Sequence, residues 1–147
     1  MGMYTALSLG VRLDNEFPQV TETLSNLIHG NPVTGQNHPF FATPRGASLL
    51  RMDSFYFDYR THWEMDVLEQ DVLGCTFLSG VSNIKNYDNE INKFLDWLSP
   101  HMITTGFIGW TMYEEDDFPT ILMRHRKGEI TRHIHCSKRN AYMGEAK

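Results

Sequence analysis

Residues Thr104 to Cys136 read TTGFIGWTMYEEDDFPTILMRHRKGEITRHIHC, and this run constrains the fold more than any other. Strand-forming apolar and polar residues intermix in three short stretches, Phe107–Tyr113, Thr120–His125 and Ile130–Cys136. An acidic loop separates the first two, and a Lys-Gly turn separates the last two. Alternation at a period of two predicts strands with one buried face. Connections this short force successive strands to run antiparallel.

The rest of the chain adds strands and helices in a definite order. Tyr4 to Leu13 places Thr5, Leu7, Leu9, Val11 and Leu13 on one side, the pattern of a half-buried strand. Asp14 or Asn15 offers a helix cap, and Pro18 suits a first turn. Val20, Leu24, Leu27 and Ile28 then follow at helical spacing, and Gly30 predicts the stop. The segment 31–46, NPVTGQNHPFFATPRG, is a long Pro/Gly loop in which Phe40 and Phe41 either tuck onto a core or form an exposed tip. Tucking is the commoner fate of adjacent aromatics and is the expectation here. Ser48 to Tyr59 suggests a short strand and turn. Trp63, Met65 and Val67 alternate with Glu64 and Asp66, predicting a strand with an acidic outer face; Glu69 to Gly74 reads as a turn and Cys75 to Asn83 as the partner strand. Asp88 offers a cap for a second helix with Ile91, Phe94, Leu95 and Leu98 on one stripe, and Pro100 lies just past its end. The last residues, 137–147, look frayed. Strand, helix, strands, helix and strands in that order predict one α+β domain over 1–147. The expected plan is a ferredoxin-like antiparallel sheet with two helices on one face and an added C-terminal β-hairpin.

Composition narrows the class. A chain of 147 residues with 41% hydrophobic and 21% charged residues has what an ordinary globular domain needs. The opening MGMYTALSLG lacks the basic start of a signal peptide, and Ala6 departs from the myristoylation pattern. Two cysteines, Cys75 and Cys136, make no disulfide framework. A cytoplasmic protein with reduced thiols is the expectation. The net charge of −5 is unevenly spread. Met1 to Met52 is balanced, Asp53 to Asp117 carries thirteen acids and three bases, and Phe118 to Lys147 carries two acids and seven bases. Either these halves neutralise one another across paired strands, or they present separate surfaces to partners of opposite charge.

Motifs for catalysis are sparse. No G-x-S-x-G, G-x-x-x-x-G-K-[ST] or G-x-G-x-x-G occurs, so the chain lacks the standard nucleophile elbow and phosphate loops. His133 and His135 fall on one face of the last strand, with His125 on the strand before as a third candidate ligand. Standard zinc spacing is absent, so solvated positions on an open sheet face are the expectation for these histidines. A metal-dependent hydrolase built on them is the thinnest of the readings, and no cofactor is expected. Asp88, Glu90 and Asp96 fall on the outward side of the second helix, where solvation is the default.

Two binding surfaces are left. The acidic loop Glu114, Glu115, Asp116 and Asp117, with the outward acids Glu64 and Asp66, suits a protein partner with a basic surface. Arg124, Arg126, Arg132 and Arg139 suit nucleic acid or a small anion, the alternative reading. The blocks SNIKNYDNEINKFLDWLSPHM and GFIGWTMYEEDDFPTILMR resemble small uncharacterised bacterial and phage proteins. That resemblance covers less than half of the chain, implies a prokaryotic or viral cytosolic origin, and carries no catalytic residue or ligand with it. The expected function is a non-enzymatic macromolecule-binding protein, in its most concrete form an inhibitor or adaptor that acts through its acidic surface.

Overall fold

The computed structural model describes residues 3–51, 67–70 and 76–134. The expected acidic strand around Glu64 and Asp66, the stretch 52–59, and the tail with His135 and Arg139 lie outside these residues. The described chain is α+β. Its order is β1 (Thr5–Leu13), α1 (Pro18–His29), β2 (Val67–Gln70), β3 (Thr76–Ile84), α2 (Glu90–Leu98), β4 (Gly106–Tyr113), β5 (Thr120–Arg124) and β6 (Ile130–His133). The six strands form one sheet in the order β2-β3-β1-β4-β5-β6, and every neighbouring pair is antiparallel.

The alternation in β1 decides which face is dry. Leu7, Leu9, Val11 and Leu13 are buried and share one cluster with Leu24 and Leu27 of α1 and Ile91, Phe94, Leu95 and Leu98 of α2. Both helices therefore pack against the same set of β1 side chains. The opposite face is not uniformly wet: Ala6, Val81 and Asn83 are buried there too.

Helix boundaries differ from the sequence expectation at the first turns. Neither Asp14 nor Asn15 caps α1. The cap position is Phe17, and Pro18 opens the helix with φ already set. Asp14 instead accepts the N–H of Glu16 at 3.0 Å, a local turn that competes with capping. The stop is as expected. Gly30 adopts φ 73°, and the N–H of Asn31 reaches back to Asn26 O at 2.8 Å. For α2 the cap is Asn89 in the left-handed region, not Asp88. Asn86 Oδ1 takes the N–H of Ile91 at 2.9 Å, and Glu90 reaches back to the N–H of Asp88 at 3.0 Å.

The turn expected over Glu69–Gly74 is partly strand, since β2 runs to Gln70. Residues 46–48, expected to lead into a strand, form a short 3₁₀ turn.

The long loop is a strap on the core. Phe40 is 1% exposed, with its ring 5.2 Å from Phe94 and 5.0 Å from Phe41. Phe41 meets Trp97 edge-on at 5.1 Å. Burying one such ring is worth about 1.5–3 kcal/mol, enough to offset the ordering of one or two loop residues at about 1–2 kcal/mol each. Arg45 completes the anchor through Asp88 at 3.1 Å and Glu90 at 3.5 Å. Glu90 was expected to face solvent and is 0% exposed. It is held inside because its two oxygens have a guanidinium and a backbone N–H to bind.

Candidate functional site

β5 joins two ends of opposite charge. Five residues at a strand rise of about 3.3 Å put its ends roughly 13 Å apart. At one end β4 runs into the acidic loop. Glu114 is half-buried there: its N–H donates to Tyr4 O at 3.0 Å and its Oε1 accepts the N–H of Tyr4. Glu114 therefore belongs to the fold, closing β4 onto the start of β1. Glu115, Asp116 and Asp117 are exposed. The turn is closed by the N–H of Asp116 to Tyr113 O at 2.9 Å. Beside it stands Tyr87, 56% exposed, with the Arg45 guanidinium 5.0 Å from its ring centre. Partial burial, then the charges of Glu115 and Glu114, Tyr87 and finally Asp116, push the Tyr113 phenol upward from its ordinary pKa. The tip acids and the two tyrosines thus share one electrostatic neighbourhood. Phe118, half exposed, follows the acids.

At the other end, the β5–β6 turn exposes His125, Arg126 and Lys127. It is closed by the N–H of Gly128 to His125 O and the N–H of His125 to Glu129 O, both at 2.8 Å. Arg45 forms ion pairs with Asp88 and Glu90, and among the described residues neither the tip acids nor this turn joins one. Among the described residues, the acidic tip and the basic turn do not neutralise each other.

The expected anion-binding arginines do not form one surface. Arg124 is 7% exposed, on the helix side of β5. Its Nε donates to Ser99 O at 3.1 Å and its Nη1 to Thr104 O at 3.0 Å, and burial pulls its pKa down. It ties β5 to the α2–β4 connection, so it is removed from the candidate site. Arg132 sits opposite Leu122, also on the helix side, and its Nε donates to Asn92 Oδ1 at 2.8 Å. Only Arg126 of the set stands exposed at the turn, and Arg139 is outside the described residues.

The histidines come together differently from the expected metal geometry. His125 Nε2 lies 2.8 Å from Thr131 Oγ1, and His133 Nε2 lies 2.9 Å from the same oxygen. A hydroxyl occupies the point where the two imidazoles converge. Among the described residues no group of three His, Cys, Asp or Glu side chains is placed to hold a metal.

A cavity of about 270 Å³ lies between the end of α1 and the strap, lined by Leu27, Val33, Phe40, Phe41, Thr43 and Arg51 among others. No acid, histidine or cysteine is among the described residues that line it.

Sequence reading missed Tyr87 and Arg45 as neighbours of the acidic end, and Glu90 as their buried anchor. Only the spacing Asp88-x-Glu90 hinted at the reach-back that draws Glu90 inward. Comparison of the chain with protein-family models, curated proteins and solved structures gave no match in any of the three. Among the described residues no helix is long and apolar enough to cross a membrane.

Proposed function

We propose that this chain is a non-enzymatic binding protein, an inhibitor or adaptor that docks its acidic end onto a basic surface of another protein. The observation that carries the reading is the exposure of Glu115, Asp116 and Asp117 beside Tyr87, with no ion pair to offset them. Exposed carboxylates outside any ion pair suit lysine and arginine on a partner. The order β2-β3-β1-β4, with α1 after β1 and α2 after β3, supports a ferredoxin-like plan in which β5 and β6 are the added hairpin. A prokaryotic or phage origin and a cytoplasmic setting belong to the same proposal.

The test compares tagged wild type with Glu115→Gln/Asp116→Asn/Asp117→Asn, each used to capture partners from the host. Glu114 is left intact because its carboxylate holds Tyr4. The triple variant is expected to melt within about 0.5 kcal/mol of wild type, as exposed charges contribute little to stability. It should bind the captured partner with a slower on-rate, and the deficit should shrink as salt rises. Full affinity and on-rate at low salt in the triple variant would remove the acidic end from the function.

A further inference from the structure

We propose that the β4–β6 flank of the sheet's second face is a stacking surface for single-stranded nucleic acid. This surface runs along β5 from Ile121, near the acidic tip, to the basic turn at Arg126 and Lys127, and does not depend on the protein-docking reading.

Cross-strand partners share a face. Phe107 pairs with Met123, Met123 with Thr131, and Ile121 with His133. All therefore lie opposite Leu122 and Arg124, which point toward the helices. Phe107 is 58% exposed and makes no aromatic contact among the described residues. Ile121 and Met123 are half-buried and form an apolar floor beside it. The exposed imidazoles of His125 and His133 stand on this face, each hydrogen-bonded to Thr131 Oγ1. That shared bond holds two flat rings in place before any ligand arrives.

The charge nearby has the sign that phosphates need. Arg126 and Lys127 project from the turn that ends β5, and neither forms an ion pair among the described residues. From Thr120 to Ile134 the only acid is Glu129. An exposed aromatic on a strand, planar imidazoles and adjacent cations are the parts that single strands use: rings take bases, cations take phosphates. Duplex DNA hides its base faces and leaves Phe107 with nothing to stack on. An acidic polypeptide has few rings to offer and would be held by the cations alone.

The experiment is fluorescence anisotropy with a labelled oligothymidylate, a duplex of equal length, and polyglutamate. Wild type is expected to bind the single strand at low salt, with affinity falling steeply as salt rises. Phe107→Ala should weaken that binding at least about five-fold, the lower end of a lost base stack. Phe107→Tyr should retain it, and Arg126→Gln/Lys127→Gln should weaken it and flatten the salt dependence. Circular dichroism melts check that each variant is folded. If Phe107→Ala fails to fold, Phe107→Leu takes its place and must weaken binding while Phe107→Tyr does not. The neutralised acidic tip should bind the oligonucleotide as tightly as wild type or tighter, which separates this result from the fate of the docking surface. No binding at low salt, equal binding of duplex or polyglutamate, or an unchanged affinity on loss of the Phe107 ring would each overturn the proposal.

Discussion

Arg124 shows how far a single residue's role depends on partners distant in sequence. Its guanidinium spans Ser99 and Thr104, two carbonyls near the end of α2 and the start of β4. Arg124→Met keeps much of the stem's packing but leaves those carbonyls without their charged donor. A loss of about 1.5–3 kcal/mol is expected, measured as the shift in a urea midpoint, with nucleic-acid binding unchanged. His101 carries the second prediction at this scale. Its ring meets Phe17 edge-on at 4.8 Å, and its Nδ1 is buried without a hydrogen-bond partner. Burial holds its pKa below the ordinary value, with Asp14 pulling the other way. The unfolded chain takes up this proton near pH 6.5, while the folded chain resists until lower pH. Between those values the unfolded state binds more protons, so stability falls as pH drops through about 6.5 and levels off below the folded pKa. Thermal melts at pH 7.5 and 5.5 should show that fall. His101→Phe, which keeps a ring but cannot titrate, should reduce it. Neither role was legible in the sequence. Arg124 read as an anion-binding residue and Glu90 as solvated because local pattern gives polar residues no reason to be inside, and their partners lie 25 and 45 positions away.

At the scale of elements, β1, β3, β4 and β5 were legible almost to the residue because their alternation is set by one buried face. Caps were legible only in part. Asp14 and Asn15 had the right chemistry for α1, which starts at Phe17 without a side-chain cap; at α2 Asn86 and Glu90 serve the first turn, while the strap's Arg45 pairs with Asp88. The register shift in β4 between Phe107 and Gly109 had no sequence signal except the glycine itself. Gly109 lies so close to β1 that a Cβ there would collide with Ser8 O, and its φ is 155°. Gly109→Ala must part β1 from β4 at the centre of the sheet. It is expected to destabilise the protein by more than about 3 kcal/mol, seen as a lower melting temperature. An unchanged melt would show that the two strands are not in such close approach. The acidic loop divides at the same scale: Glu114 finishes a strand pair, and only the three acids after it are free to serve a partner.

Across the molecule, the strap, both helices and the β1 strand meet in a single buried cluster. Phe40 is the strap's contribution to its centre. Phe40→Ala should cost about 3–5 kcal/mol, and the melt should stay a single transition because the strap has no separate core to retain. Two transitions would show that the strap docks independently. The tucked aromatic pair was legible; its neighbour across the cluster, Trp97, had shown only as an indole beside a stripe. Among the described residues the acidic and basic turns stand apart, because β5 carries one at each of its ends. The two turns that flank β5 consequently form a compass needle. A charged surface would draw one end of β5 and repel the other while still a Debye length away. The protein would be turned before it touched, and much of the rotational search that slows an uncharged encounter would be over on arrival.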